Sequence, residues 1–261
     1  MKINIYQVDA FTNNPFNGNP ACVVPLKKWL PDDILLKIAA ENSVPETAFF
    51  IVNSDYVELR WFTPDLEIDL CGHATLATAH ILKTIYNYPH SQIIFSTMSG
   101  ALKVSYKKNF YFLDFPSRLP TPSVLPKEIN LSLNIKPKEI LKSRDFLLLY
   151  DNQDEIEKIK INKYYFDKIN LGHGGVIVTS LSSEVDFVSR FFTPQATILE
   201  DFVTGSSHCS LIPFWAKRLK KNYMEAIQLS NRPGKLICIN KNDRVIIGGQ
   251  AVIYSRGEFY I

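Results

Sequence analysis

Strand-like runs, punctuated by Asn, Gly and Pro turns, recur along this chain and are broken by a few stretches with apolar residues at helical spacing. Lys2 to Ala10 alternates as a strand, Phe11 to Pro20 (FTNNPFNGNP) is a turn-rich loop, and Ala21 to Pro25 reads as a second strand. Pro31 followed by two aspartates opens a helix over Asp32 to Glu41, because acidic residues suit the positive end of the helix dipole. Glu46 to Val52, Tyr56 to Phe62, Gln92 to Ser96, Ala101 to Tyr106 and Phe110 to Phe115 continue a β-rich first half. A Pro-rich stretch from Pro116 to Pro126 reads as a linker. Beyond it the pattern predicts a short helix over Pro137 to Lys142 and further elements over Phe146 to Tyr150, Ile156 to Ile161 and Gly175 to Ser180. Strands near Leu236 to Ile239, Val245 to Gly248, Ala251 to Tyr254 and Glu258 to Ile261 finish the chain.

Within this pattern the chain nearly repeats itself. Arg60-Trp-Phe-Thr-Pro64 followed by Cys71-Gly-His-Ala-Thr75 is echoed by Arg190-Phe-Phe-Thr-Pro194 followed by Thr204-Gly-Ser-Ser-His208. Pro64 and Pro194 lie 130 positions apart and Gly72 and Gly205 lie 133 apart, so the copies differ by a small loop insertion. That spacing exceeds any short-repeat period and implies two domains of similar fold, over residues 1–115 and 127–250, with the last strand, 251–261, able to return to the first.

Each Gly-centred turn should deliver the chain into a helix. The first runs from about His73 through Leu76, Ala77, His80 and Ile81, and the second from about Ser206 through Leu211, Phe214, Trp215 and Leu219. A helix N-terminus offers unbonded N–H groups and the positive end of a dipole, which suits a carboxylate or phosphate. Alternatively the glycines merely permit tight turns. Their duplication weighs for the functional reading, with an expected cleft between the two domains.

Composition adds limits. A net charge of +3 without a concentrated basic tract gives no argument for nucleic acid, and Lys107-Lys108, Lys217-Arg218 and Lys220-Lys221 read as solvated positions. Met1 to Asp9 reads as a strand and not as a charged leader, and no run is long enough to span a bilayer, so a cytoplasmic protein with no membrane partner is expected. Four cysteines without a CxxC pair suit reduced thiols, with Cys22 and Cys238 as core residues. Cys71, His73, His208 and Cys209 lack the usual zinc spacing, and no metal is expected. Gly172-His-Gly-Gly175 enters a strand instead of a helix and reads as a turn, not a phosphate loop. His80, His90 and His173 read as core or surface residues.

The acid-base candidates that remain are Glu46, His73, Asp201 and Ser206. Glu46 stands among apolar neighbours, so partial burial would raise its pKa toward a range useful for proton transfer; a turn or edge-strand carboxylate held by backbone N–H groups is the alternative.

VDAFTNNPFNGNPACVV, NSVPETAFF, WFTPDLEIDLCGHATLATAHIL and EDFVTGSSHCSL together resemble the phenazine biosynthesis PhzF-like family, whose fold is similar to diaminopimelate epimerase. The resemblance implies an α+β fold of two pseudo-symmetric domains, each a β-barrel-like sheet around a central helix, and often a homodimer. It implies that Glu46 is the general acid/base, that His73, Asp201 and Ser206 are the other active-site polar residues, and that Gly72 and Gly205 lend N–H groups to a substrate carboxylate. Asn19 and Thr204 join these glycines as substrate-binding positions. The implied activity is cofactor-independent isomerisation of a small carboxylated metabolite, as by the family's isomerase of trans-2,3-dihydro-3-hydroxyanthranilate. This chain departs from the family pattern at Phe202 and at Arg232-Pro-Gly234. An epimerase of the same fold would use one thiol from each half, but Cys71 precedes Gly72 where Thr204 precedes Gly205, and a hydroxyl cannot match a thiolate as base. A metabolite-binding protein without activity is the reading from a different class.

Overall fold

A computed structural model of the chain describes residues 1–172 and 174–261. In chain order its elements are β1 (Lys2–Ala10), β2 (Asn19–Pro25), α1 (Asp32–Asn42), β3 (Glu46–Val52), β4 (Val57–Phe62), β5 (Glu67–Ile68), α2 (Gly72–Thr84), β6 (Gln92–Thr97), β7 (Gly100–Lys107) and β8 (Phe110–Pro116). There follow β9 (Thr121–Pro122), α3 (Lys127–Ser132), β10 (Glu139–Lys142), β11 (Phe146–Leu149), α4 (Gln153–Lys158), α5 (Lys163–Phe166), β12 (Val176–Leu181), β13 (Phe187–Phe192) and β14 (Glu200–Asp201). The last are α6 (His208–Leu219), β15 (Tyr223–Gln228), β16 (Gly234–Lys241), β17 (Arg244–Gly249) and β18 (Ala251–Tyr260). Two compact units result, Met1–Phe115 with Ile247–Ile261, and Pro116–Ile246.

In the first unit the strands lie in the order β18-β1-β2-β3-β4-β6-β7-β8. Successive neighbours are antiparallel except for the parallel pairs β2–β3 and β4–β6. The second unit gives β9-β10-β11-β12-β13-β15-β16, again antiparallel except for β11–β12 and β13–β15. Even the two-residue strands correspond, β5 pairing with the end of β4 and β14 with the end of β13. The sheet-rich α+β fold is therefore built twice. Each copy wraps one helix: α2 is buried without a break from Gly72 to Ala79, and α6 from His208 to Ala216. A helix apolar on every side has to be enclosed, and a curled sheet encloses it.

Shorter helices cover other apolar faces. Leu35, Ile38 and Ala39 of α1 pack with Ile3, Val24, Phe49 and Phe62. Ile129, Ile156 and Phe166, one from each of α3, α4 and α5, pack with Leu148, Val176, Val178 and Val188.

The repeated Arg and Phe of the sequence motif do the same work in both units. Arg60 grips Glu67 with Nε at 2.7 Å and Nη2 at 2.6 Å, and Arg190 grips Glu200 with Nε at 2.6 Å and Nη2 at 2.9 Å. Such forks fix both ends of a carboxylate and hold each short strand to its longer neighbour. Arg60 also lies 5.1 Å from the Phe62 ring centre and Arg190 4.9 Å from that of Phe192.

Several elements differ from expectation. Residues 139–142 form strand β10, paired with both β11 and β9, and not a helix, because the chain must return antiparallel after the turn at 143–145. The Pro-rich stretch is not a bare linker, since Thr121 and Pro122 pair with Lys142 and Leu141. Ile156 falls in α4, whose Asn152 cap accepts the Glu155 N–H at 3.0 Å, while Ile161 makes an isolated bridge to Leu133. The two final strands are one, β18, paired along its length with β1 through a register shift at Gln7/Val8. The strand β15, Tyr223–Gln228, has no counterpart in the sequence reading. Among the described residues no helix is long and apolar enough to cross a membrane.

Candidate active site

Parallel pairing of β2 with β3 sets Ala21 beside Glu46, which brings the starts of both strands to one end of the sheet. Helix α2 begins at that end with Cys71 as its cap residue; Cys71 makes no side-chain capping bond, so the first N–H groups, Gly72 and His73 included, have no acceptor from the cap. Asn19, Glu46 and His73, far apart in sequence, meet there. His73 Nε2 lies 2.9 Å from Glu46 Oε2, and its Nδ1 lies 3.2 Å from the Asn19 amide and 3.5 Å from Cys71 Sγ.

His73 is 4% exposed and Glu46 17%. Burial opposes charge on His73, but Cys71 and Glu46 overcome it and hold the imidazole well above its usual pKa. Burial also raises the Cys71 thiol. The Asn19 contact is made by its amide nitrogen, whose N–H donates to Nδ1 when that ring nitrogen carries no proton. Glu46 Oε2 is buried and holds no aligned hydrogen bond, so its pairing with His73 is Coulombic and a lone pair stays open.

Glu46, Cys71 and His73 bring a carboxylate oxygen, a sulfur and a ring nitrogen within 4.8 Å of one another, a donor set able to hold a metal ion. A thiol must lose its proton to ligate, and burial resists that loss at Cys71.

In the second unit the polar turn after β14 is held from within. Thr204 Oγ1 donates to Asp201 Oδ2 at 2.6 Å. Gln228, buried at the end of β15, accepts the Thr204 N–H at 2.8 Å and donates to the Asp201 carbonyl at 2.9 Å and to Thr204 Oγ1 at 3.1 Å. Gly205 follows, and Ser206 Oγ accepts from Arg144 Nη2 at 2.9 Å. The helix starts two residues later than its spacing predicts, at His208. Its N–H bonds Gly205 O and that of Cys209 bonds Ser206 O, a tight i to i+3 turn ahead of α6. Asp201 and Ser206 thus have different anchors, Thr204 for one and Arg144 for the other.

His208 is fully buried, and burial pushes its pKa down to about 4. It is a neutral imidazole whose Nδ1–H donates to Thr204 O at 2.9 Å. Burial raises Cys209 to about 11, and Cys22 and Cys238 are buried as well. Neither Cys209 nor His208 is poised for proton transfer. His80 is a structural residue pushed down to about 4 by burial, with Nδ1 3.1 Å from the Tyr111 hydroxyl; His90 is exposed, and His173 lies outside the described residues.

Two positions that depart from the family pattern meet each other, the Arg232 guanidinium lying 5.9 Å from the Phe202 ring centre. Three residues bonded to the candidate positions or to their partners escaped the sequence reading. Arg144 and Asp145 had a signal, adjacent opposite charges directly before the apolar FLLL strand. Gln228 had a weaker one, because YMEAIQ alternates in burial but is composed largely of helix-favouring residues.

Comparison with known proteins assigns the family. The family model for phenazine biosynthesis-like protein matches residues 8–257. The chain belongs to this family. A crystal structure of a phenazine biosynthesis protein of the PhzF family from Enterococcus faecalis superposes with a TM-score of 0.96 at 44% identity, covering 100% of both chains. An uncharacterized isomerase of Pseudomonas aeruginosa is 42% identical over 99% of this chain and 98% of its own. The fold reaches further than the family. A hydroxyproline epimerase from Agrobacterium vitis aligns over 98% of this chain and 92% of its own with a TM-score of 0.60, at 11% identity.

Proposed function

We propose that this chain, an isomerase by family, moves a carbon-bound proton and a double bond within a small carboxylated metabolite, without a cofactor, in the manner of trans-2,3-dihydro-3-hydroxyanthranilate isomerase. Such a shift leaves the oxidation level of the molecule unchanged, so a base that takes the proton and returns it elsewhere suffices. The observation that carries the reading is the Glu46 carboxylate, buried at Oε2 with no hydrogen-bond partner there and with the His73 ring nitrogen 2.9 Å away. Glu46 takes the proton and delivers it back, and His73 offsets the charge that develops. The unoccupied N–H groups at the start of α2 suit a carboxylate next to that base.

Two-thiol epimerisation finds less support. Thr204 stands where a second thiol would be needed, and its hydroxyl is bound to both Asp201 and Gln228. The family resemblance further supports a cytoplasmic homodimer, for which light scattering should return twice the chain mass.

The test is a thermal-shift screen of cyclic and amino-acid carboxylates, each hit then incubated in D2O and followed by NMR. Deuterium should enter at carbon with the wild type and fall by 10²-fold to 10⁴-fold with Glu46→Gln. Equal uptake by the variant removes Glu46 from the mechanism, and binding with no uptake by either protein favours a metabolite-binding protein.

A further inference from the structure

Glu46, Cys71 and His73 turn three different donor atoms toward one point, all within 4.8 Å of one another. His73 Nε2 lies 2.9 Å from Glu46 Oε2 and 4.0 Å from Cys71 Sγ. Bonds of roughly 2.0–2.3 Å to a tetrahedral zinc ion set its donors about 3.4–3.6 Å apart, so these two separations need shifts on the order of 0.5 Å to close around one ion. The set lies wholly within the first unit. It differs from the Cys and His pairs of the repeated turns, which lack zinc spacing, because its third donor comes from β3.

Glu46 Oε2 is buried and holds no hydrogen bond, which leaves an acceptor inside the protein with a lone pair to offer a cation. The charges also fit. A carboxylate, a thiolate and a neutral imidazole carry two negative charges, and one divalent ion cancels them in a place where Cys71 is 5% and His73 4% exposed. The ion takes the place of the thiol proton, and its charge offsets the burial that otherwise opposes the thiolate. Asn19, fully buried, lies 3.2 Å from Nδ1, the ring nitrogen turned away from the other two donors. With its amide turned to present oxygen, Asn19 accepts the Nδ1–H and fixes the ring, a support that metal-bound histidines commonly have. Sulfur, nitrogen and oxygen together select zinc over calcium or magnesium, which take oxygen donors. Glu46, the most exposed of the three, gives an ion its way in.

We propose that Glu46, Cys71 and His73 form a zinc site that holds the isomerase off, the ion occupying the carboxylate that otherwise takes the substrate proton. Binding of the ion stands on the donor geometry alone, and only the inhibition rests on the function proposed above.

Cobalt(II) is the probe for the full chain, because a cobalt–thiolate bond gives a near-ultraviolet charge-transfer band and four-coordination gives strong visible bands. The wild type should take up one cobalt per chain with both features, and zinc should displace it. Cys71→Ser should lose the charge-transfer band, whereas Cys209→Ser should retain it. Glu46→Gln and His73→Gln should each weaken binding at least ~10-fold, and they test the site even where Cys71→Ser does not fold. A wild type without the band overturns the proposal, as does a band that survives Cys71→Ser or affinity unchanged in Glu46→Gln. Deuterium uptake should stop as zinc fills the site and return with a chelator; uptake that continues with the ion bound overturns the inhibition. If the metal-free protein shows no uptake while the cobalt spectrum is as expected, the proposed isomerisation falls and the zinc site stands.

Discussion

The same frame carries different chemistry in its two copies. Thr47 pairs with Phe62 in the first unit and Val176 with Phe192 in the second, so Glu46 and Gly175 stand at matching points just before those pairs. One is a carboxylate beside an imidazole, and the other is a glycine whose N–H donates to Asp145. A side chain at Gly175 has no room, because an added Cβ would lie 2.4 Å from the Phe191 ring and 2.7 Å from Phe192 O. His73 and Ser206 likewise each follow the repeated glycine, and each is met by a residue near the start of the matching strand, Asn19 for one and Arg144 for the other. Duplication retained strand order and the Arg–Glu forks, and changed the side chains where the chain turns into the central helix. At that point the first unit sets a carboxylate against an imidazole, and the second an arginine against a serine hydroxyl.

The hardest test of this division is to fill the second copy. Gly175→Ala should destabilise the protein by about 3 kcal/mol, since a backbone carbonyl and a buried ring must both shift. Chemical denaturation measures it, and a loss below ~1 kcal/mol would mean that the glycine is not what excludes a second base.

The two helix-start histidines should respond to pH in opposite senses. Burial lowers His208 to about 4, so the unfolded chain takes up that proton first and stability is lost as pH falls from about 6.5 to about 4. The full loss is about 3 kcal/mol, and His208→Asn, which retains a donor for Thr204 O, should flatten that limb of the stability curve. For His73 the folded value is the higher one. Its contribution is present below about 6.5 and fades as pH rises through the folded pKa, so His73→Gln should flatten the other limb. Unfolding curves from pH 4 to 9 that bend alike for both variants would erase the contrast.

The repeated arginines give the smallest effect. Arg190 bonds Glu200 and also donates to the Ile156 and Ile159 carbonyls at 3.0 and 2.9 Å, closing the end of α4. Arg60 adds to its Glu67 fork a bond to the exposed Asp32. Arg190→Ala should cost about 2–3 kcal/mol and Arg60→Ala about 1–2, because bonds to buried carbonyls count for more than a surface ion pair. Equal losses in parallel melts would show that the second fork is no more integral than the first.

Much of this molecule could be read from its residues, and the failures have physical causes. Alternating strands such as β6 and β8 declare themselves because one face is buried and the other is not. Short β10 could not, since four residues carry no period and only its partners on both sides make it a strand. YMEAIQ has the burial alternation of a strand but helix-favouring composition, and parallel pairing with β13 settles it. With that strand went Gln228, and with it the reason the Asp201–Thr204 turn holds its shape.

Sequence by itself determined the duplication, the two glycines that begin the turns into buried helices, and the residue types at those turns, because period and local geometry are written within a few neighbouring residues. Only tertiary structure decided what those residues became. Glu46 and His73 are 27 positions apart in the chain, and Arg144 and Ser206 are 62 apart. Charge on an imidazole and the direction of a hydroxyl depend on which distant partner strand register and helix placement bring within 3 Å, and on how much water is excluded there.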